Sequence, residues 1–414
     1  MVRNEDLNKQ KFALLSGIFI GLAIITKGPV GLLLLILTLL VFLIIKKFKV
    51  IMNIKDILIF AFASLSVTFL WFGYETITNS PWFIIEFIQY QIELFTEPVA
   101  GHEQPFYYHF IVVLLGCFPM SIMALPMLKK TRENTPIDFM LWMKILFWVV
   151  LILFTIVKTK IVHYSSMSYL PLSFMAAYFI YQLDLKKVTI SKTIKIIFLI
   201  IGLIFSSLLT IAPVLFKQKD FLSSVIQDDF AVASLNVDMG WQGWEFIIGL
   251  IYFAAVIIAY IYLNKEKVMK FVYFIAISAG TTLLLYSIFV VPKIEKFSQG
   301  PAIEFYESIQ KEDAYVTTLG FKSYAHLFYF KLKPDSKSDG IVKIKEKYKK
   351  ELINRKDFNM NTLISRTNNW LLNGDIDKTA YFVTKITHRD KMKNYTKLNL
   401  IETKGGFDFY SRKP

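Results

Sequence analysis

Nine apolar runs, each near the length that crosses a hydrocarbon layer, govern what this 414-residue chain can fold into. They fall at about 12–26, 29–45, 57–75, 106–127, 138–157, 165–183, 194–215, 245–263 and 271–292. In lipid every backbone polar group must be satisfied internally, so runs of this kind are expected as helices. A purely soluble globule is excluded, since 55% of the residues are hydrophobic, 16% are aromatic and the mean hydropathy is +0.47. Charge is unevenly placed: of 47 basic and 32 acidic side chains, 24 and 15 lie within 293–414. The expected architecture is a mainly α, polytopic membrane region over 1–292, followed by a small α/β domain over 293–414.

The first two runs are separated only by Thr26-Lys27-Gly28-Pro29, a poor helix interior, so a break is expected there. A cleaved secretory signal is disfavoured, because no small-residue cleavage site follows 12–26 and a second apolar run begins at once. Counting Lys and Arg in alternate loops gives 17 on one side and 5 on the other. Basic loops stay cytoplasmic, which predicts a cytoplasmic N-terminus, an extracytoplasmic C-terminal domain, and loops 76–105, 158–164 and 216–243 on the outer face of the plasma (inner) membrane. The net charge of +15 is thereby explained by topology, without nucleic acid. The single cysteine, Cys117, excludes an intrachain disulfide and a thiolate metal cluster. No Gly-rich phosphate loop or dinucleotide fingerprint is present, so no nucleotide cofactor is expected.

In the C-terminal domain, 314–319 and 381–385 read as short buried strands and 396–402 with 407–411 as a hairpin around Gly405-Gly406. Segments 303–311 and 343–356 have helical composition, the latter a solvated face or one touching anionic headgroups. The chemistry is sought on the outer face. Residues 82–95 should form an amphipathic helix along the membrane surface. Gly101-His102-Glu103-Gln104-Pro105-Phe106-Tyr107-Tyr108-His109 follows, in which His102 and Glu103 suit a zinc or manganese ion, or are interfacial polar residues beside anchoring tyrosines. The turn Lys158-Thr159-Lys160-Ile161-Val162-His163-Tyr164 crowds cations where they are otherwise scarce, which suits a phosphate at headgroup depth, although snorkelling lysines need no function. Lys27 shares that face, and the helix beginning at Pro29 offers free amides to an anion.

Three segments together resemble a known pattern: Gly21 to Gly31 around Thr26-Lys27-Gly28-Pro29, His-x-x-Pro-Phe-Tyr-Tyr at 102–108, and Lys-Thr-Lys-Ile-Val-His-Tyr leading to Tyr169-Leu170-Pro171. The chain resembles glycosyltransferase family 39, the aminoarabinose transferase and protein mannosyltransferase group with the GT-C fold, over roughly 12–185. The resemblance implies transfer of a sugar from a polyprenyl phosphate to a lipid, glycan or protein acceptor, as in lipopolysaccharide or protein glycosylation. It places Lys160 and Tyr164 against the lipid phosphate, with Lys27, Lys158, His163, Tyr107 and Tyr108 as further substrate contacts. It assigns His102 with Glu103 to a divalent metal (zinc, magnesium or manganese) or to the donor site. In that family about four more helices and an acidic loop residue precede the Lys-Gly-Pro turn, which begins here at residue 26; the chain is therefore expected to be the C-terminal part of such an enzyme. Val162 stands where the family often has proline. A catalytically inactive assembly protein is the alternative, and a transporter fits less well because the spans carry almost no charge beyond Lys144 and Glu75.

Overall fold

The computed structural model describes residues 9–48, 53–79, 81–97, 103–128, 137–331, 339–352 and 360–414. The chain is a mainly helical, polytopic membrane protein with a small C-terminal sheet. It divides into two compact units, one of residues 1–205 with 256–275, the other of 206–255 with 276–414. Among the described residues six helices are long and apolar enough to cross a membrane: Lys9–Lys27, Ile54–Thr78, Asp138–Ile156, Lys192–Lys217, Phe246–Asn264 and a run from Val268 to Ser308.

The other three expected spans are shorter or interrupted, and the cause is local. Segment 29–45 forms the 16-residue helix Val30–Ile45. Segment 106–127 is not one helix but Tyr108–Gly116, Met120–Met123 and Leu125–Leu128. Pro119 and Pro126 have no amide hydrogen to continue an unbroken ladder. Segment 165–183 opens as the 3₁₀ turn Val162–Ser168, where the Ser166 and Ser168 hydroxyls donate back to the carbonyls of His163 and Ser165. It becomes the helix Tyr169–Asp184, with Pro171 in the first turn, where a missing N–H costs nothing. The last apolar helix, Val268–Phe289, hands over at Val290 to Val291–Ser308, again with proline in the opening turn.

The second unit carries a four-stranded sheet in the order β1-β2-β4-β3, formed by Tyr315–Leu319, Ala380–Lys385, Phe407–Arg412 and Asn399–Lys404 respectively. The first pair is parallel and the others are antiparallel, β3 and β4 forming the expected hairpin. Alternation along the strands sends Val316, Val383, Phe407 and Phe409 to one face, against Phe305 and Tyr306. Tyr315, Leu319, Phe382 and Tyr410 go to the other, against Ile341, Leu371 and Leu372 of the helices Gly340–Leu352 and Met360–Asn373. The buried Asp408 carboxylate is held by the Arg389 guanidinium (Nε to Oδ2, 2.8 Å) and the Thr403 hydroxyl (2.6 Å).

In the first unit, Lys9–Lys27 and Ile54–Asn79 pack through Gly17 and Gly21. A Cβ at Gly17 would come within 2.8 Å of Ala63 Cβ, and one at Gly21 within 2.6 Å of Val67 Cβ. Two glycines four apart on an apolar helix let backbones approach where no hydrophobic force drives them together. Gly21→Leu is therefore expected to destabilise this unit by about 1–3 kcal/mol through overpacking. Leu22→Ala, at an exposed position, should leave stability nearly unchanged; thermal unfolding of both variants in detergent checks the difference.

Candidate functional site

The candidate site lies entirely in the first unit and is built where three segments meet. The expected break is present: the helix ends at Lys27, Gly28 takes a φ of +70° and donates to Ile24 O at 2.8 Å, and Pro29 leads into Val30–Ile45. The amphipathic helix forms as Trp82–Thr96. Its Phe87 ring sits so close over Gly28 that a Cβ there would lie 2.6 Å from Cζ, and Phe87 also stacks on Phe83 and tilts onto Phe72.

The far end of that helix is tied to the basic turn. Its last carbonyls lack intrahelical partners. Phe95 O accepts from Lys158 N and Leu94 O from Thr159 N, both at 3.2 Å, while the Thr159 hydroxyl donates to Glu97 O at 2.7 Å. Thr159 is also bridged to Glu103 as a short antiparallel pair. The surface helix, the turn at 158–160 and the start of the Pro-Phe-Tyr-Tyr segment are thus fixed to one another.

Lys160 follows. Its side chain is only 7% exposed and its ammonium donates to Val157 O at 2.9 Å. Among the described residues no carboxylate pairs with it. An ammonium has three hydrogens to donate, and burying a cation without an anion is costly. Tyr164 is half-buried, packed on Phe154 at a centroid distance of 5.3 Å beside Val150 and Val157. Burial, and after it the nearby Tyr90, raise its pKa above the ordinary tyrosine value. His163 is exposed and edge-on to Tyr164; partial burial, then the charge of Lys27, lower its pKa, which places Lys27 within electrostatic reach of the turn.

The remaining expected residues are less engaged. The Lys158 side chain is exposed, as is Tyr107, which lies edge-on to Phe106. Tyr108 meets the ring of His109. His102 lies outside the described residues, and Glu103 is exposed. Among the described residues no group of three or more His, Cys, Asp or Glu converges.

No protein-family profile matches the chain. It is 30% identical over 223 residues to the undecaprenyl phosphate-alpha-4-amino-4-deoxy-L-arabinose arabinosyl transferase of Wigglesworthia glossinidia brevipalpis, covering 51% of this chain and 38% of that protein. It is 28% identical over 211 residues to an uncharacterized protein of Aquifex aeolicus, covering 50% of this chain and 46% of the other. The chain therefore spans less than half the length of these relatives. The crystal structure of ArnT from Cupriavidus metallidurans bound to undecaprenyl phosphate superimposes with a TM-score of 0.65 at 14% identity, over 99% of this chain and 71% of that one. The apo form gives 0.61 at 14% identity over 99% and 70%. The fold is that seen in ArnT, over nearly all of this chain. By sequence the chain is similar to an aminoarabinose transferase over about half its length.

One residue of the cluster went unassigned in the sequence. His109 is fully buried, its Nδ1 lies 3.1 Å from the Ser165 hydroxyl, and its Nε2 has no hydrogen-bond partner among the described residues. It is near enough to Lys160 for their charges to interact. Its only signal was a histidine at the mouth of an apolar run, where interfacial residues are ordinary. His109→Ala should cost about 1–3 kcal/mol, because it leaves the Ser165 hydroxyl buried without its partner. His109→Asn, which keeps a polar atom near Nδ1, should recover part of that; unfolding midpoints at equal lipid content measure both.

Proposed function

We propose that this chain acts in membrane glycosyl transfer, binding a polyprenyl phosphate-linked sugar and passing the sugar to a lipid or other hydroxyl- or amine-bearing acceptor. The observation that carries the reading is the buried, carboxylate-free ammonium of Lys160 beside Tyr164, at the end of a membrane helix and in a fold otherwise seen with undecaprenyl phosphate bound. In such a displacement the bond from the acceptor atom to the anomeric carbon forms as the bond from that carbon to the phosphate oxygen breaks. The acceptor's proton goes to a base, and negative charge grows on the departing phosphate. Lys160 meets that charge with a fixed cation in a low-dielectric site, where such stabilisation is strongest. Tyr164, kept protonated by burial, donates to a phosphate oxygen. Lys27 and His163 border the site as a further cation and a neutral hydrogen-bonding group. Thr159 and Phe87 position them, by tying the turn and the Gly28 break to the surface helix.

A charge-assisted hydrogen bond to phosphate contributes about 1.5–3 kcal/mol, or roughly ten- to hundredfold in affinity. In nanodiscs, Lys160→Met, which keeps most of the buried volume, should therefore bind undecaprenyl phosphate at least tenfold more weakly than the parent. Lys160→Arg should lose less, and Lys186→Ala nothing. Equal binding by Lys160→Met at unchanged thermal stability would reduce Lys160 to a snorkelling helix-end residue.

The reading also needs the site on the extracytoplasmic side, as the basic-loop count supports. With Cys117 replaced by serine, an impermeant thiol reagent should label Asn394→Cys from outside and Ser191→Cys only from inside. Labelling in the opposite sense would overturn that orientation.

A further inference from the structure

His109 is a buried titratable group that the donor reading leaves without a task. It stands in the first turn of Tyr108–Gly116, fully buried, with its Nδ1 3.1 Å from the Ser165 hydroxyl. Its Nε2 is equally screened from solvent and has no hydrogen-bond partner among the described residues. A buried polar atom left without a partner is costly, and each such atom in a native fold calls for an explanation.

Counting hydrogens assigns the tautomer. A second buried cation near Lys160 would be costly, so the imidazole carries a single N–H. Among the described residues the Ser165 hydroxyl has His109 Nδ1 as its partner and no other acceptor. Its hydrogen therefore points to Nδ1, and the ring's own hydrogen sits on Nε2. Nε2 is thus an unspent donor. Lys160 is in a similar state, since an ammonium has three hydrogens and Val157 O takes one of them. The two groups share one setting: the His109 ring lies 6.2 Å from Phe154, Phe154 lies 5.3 Å from Tyr164, and Val157, which holds Lys160, belongs to the same apolar cluster as Phe154 and Tyr164. Donors gathered in this way, one of them charged, suit an acceptor that carries negative charge on several oxygens.

We infer that His109 is a binding residue of the donor site, its Nε2–H donating to one oxygen of the polyprenyl phosphate while Lys160 binds another. This role presupposes the phosphate at Lys160 and so rests on the function proposed above. An ammonium attracts phosphate as a point charge without orienting it, whereas a second donor on a fixed ring sets its rotation. Because Nε2 meets no solvent, the phosphate reaches it by displacing the Tyr108 ring, which stands edge-on to His109 at 5.2 Å.

Two substitutions separate this role from a structural one, since the amide of asparagine replaces Nδ1 and that of glutamine replaces Nε2. In nanodiscs, His109→Asn should recover part of the thermal stability through Ser165 yet bind undecaprenyl phosphate about tenfold more weakly than the parent. His109→Gln should be the less stable of the two yet bind within about threefold of the parent. A histidine that only braces the turn would give affinities in the order of the stabilities, and that result overturns the inference. Lys160→Met tells the two claims apart: if it weakens binding while a folded His109→Asn variant binds like the parent, the donor reading stands and the role of His109 falls. Parent-like binding by both variants overturns both.

Discussion

The first unit depends on how the carbonyls at the end of Trp82–Thr96 are satisfied. An exposed helix end in water loses little, but at a membrane boundary each orphan carbonyl costs more, because fewer water molecules reach it. Here two amides and a hydroxyl from 158–159 supply the donors. Because these donors follow directly on the span Ile137–Ile156, satisfying the helix also sets where that span ends, and Lys160 is placed one residue later. The same surface helix presses Phe87 on the Gly28 break, so one element fixes both the Lys27 turn and the Lys160 turn. Position of the cations is thus a by-product of backbone hydrogen bonding.

That arrangement clarifies why Lys160 differs from the other lysines of the cluster. Lys27 and Lys158 reach solvent, where a cation is hydrated and an ion pair contributes little. Lys160 is held inward by Val157 O, beneath a 3₁₀ turn that serine back-bonds keep tight. Its desolvation is already suffered in the folded chain, so under the proposed function a phosphate gains the charge-assisted contact without further loss of water from the lysine. The buried His109–Ser165 pair beside it resists relaxation of the turn, which would expose the ammonium.

Much of this was legible in the chain. Thr26-Lys27-Gly28-Pro29 announced its break because glycine and proline act locally, and the Gly405-Gly406 hairpin was readable for the same reason. Six of the apolar runs became long helices, since length and hydropathy need no tertiary context. What was not legible depended on partners distant in sequence. Hydropathy is blind to Pro119 splitting 106–127, because its neighbours are as apolar as any span. Met360–Asn373 escaped notice because its buried Leu371 and Leu372 are few among asparagines and threonines, and only the sheet face against which they pack makes them a core. The Gly17 and Gly21 spacing likewise drew no notice, because it gains meaning only opposite Ala63 and Val67.

Among the residues proposed for the donor site, the structure separates two kinds that composition treats alike. Lysine, histidine and tyrosine cluster at 158–164, and a count cannot say which face inward. Burial distinguishes them: Lys160 and Tyr164 turn toward Val157 and Phe154, while Lys158 and His163 turn out. A 3₁₀ turn brings residues three apart to the same side, as with the buried Ser165 and Ser168 of Val162–Ser168, whereas an α-helix would leave them about 60° apart; Lys160 precedes this turn. Replacing the Ser166 and Ser168 hydroxyls that favour the tighter turn would therefore act on Tyr164 and its packing against Phe154, while Lys160 keeps its own contact to Val157 O. The proposed donor site thus combines two local devices, the Val157 carbonyl that holds Lys160 inward and the serine-wound turn that carries Tyr164.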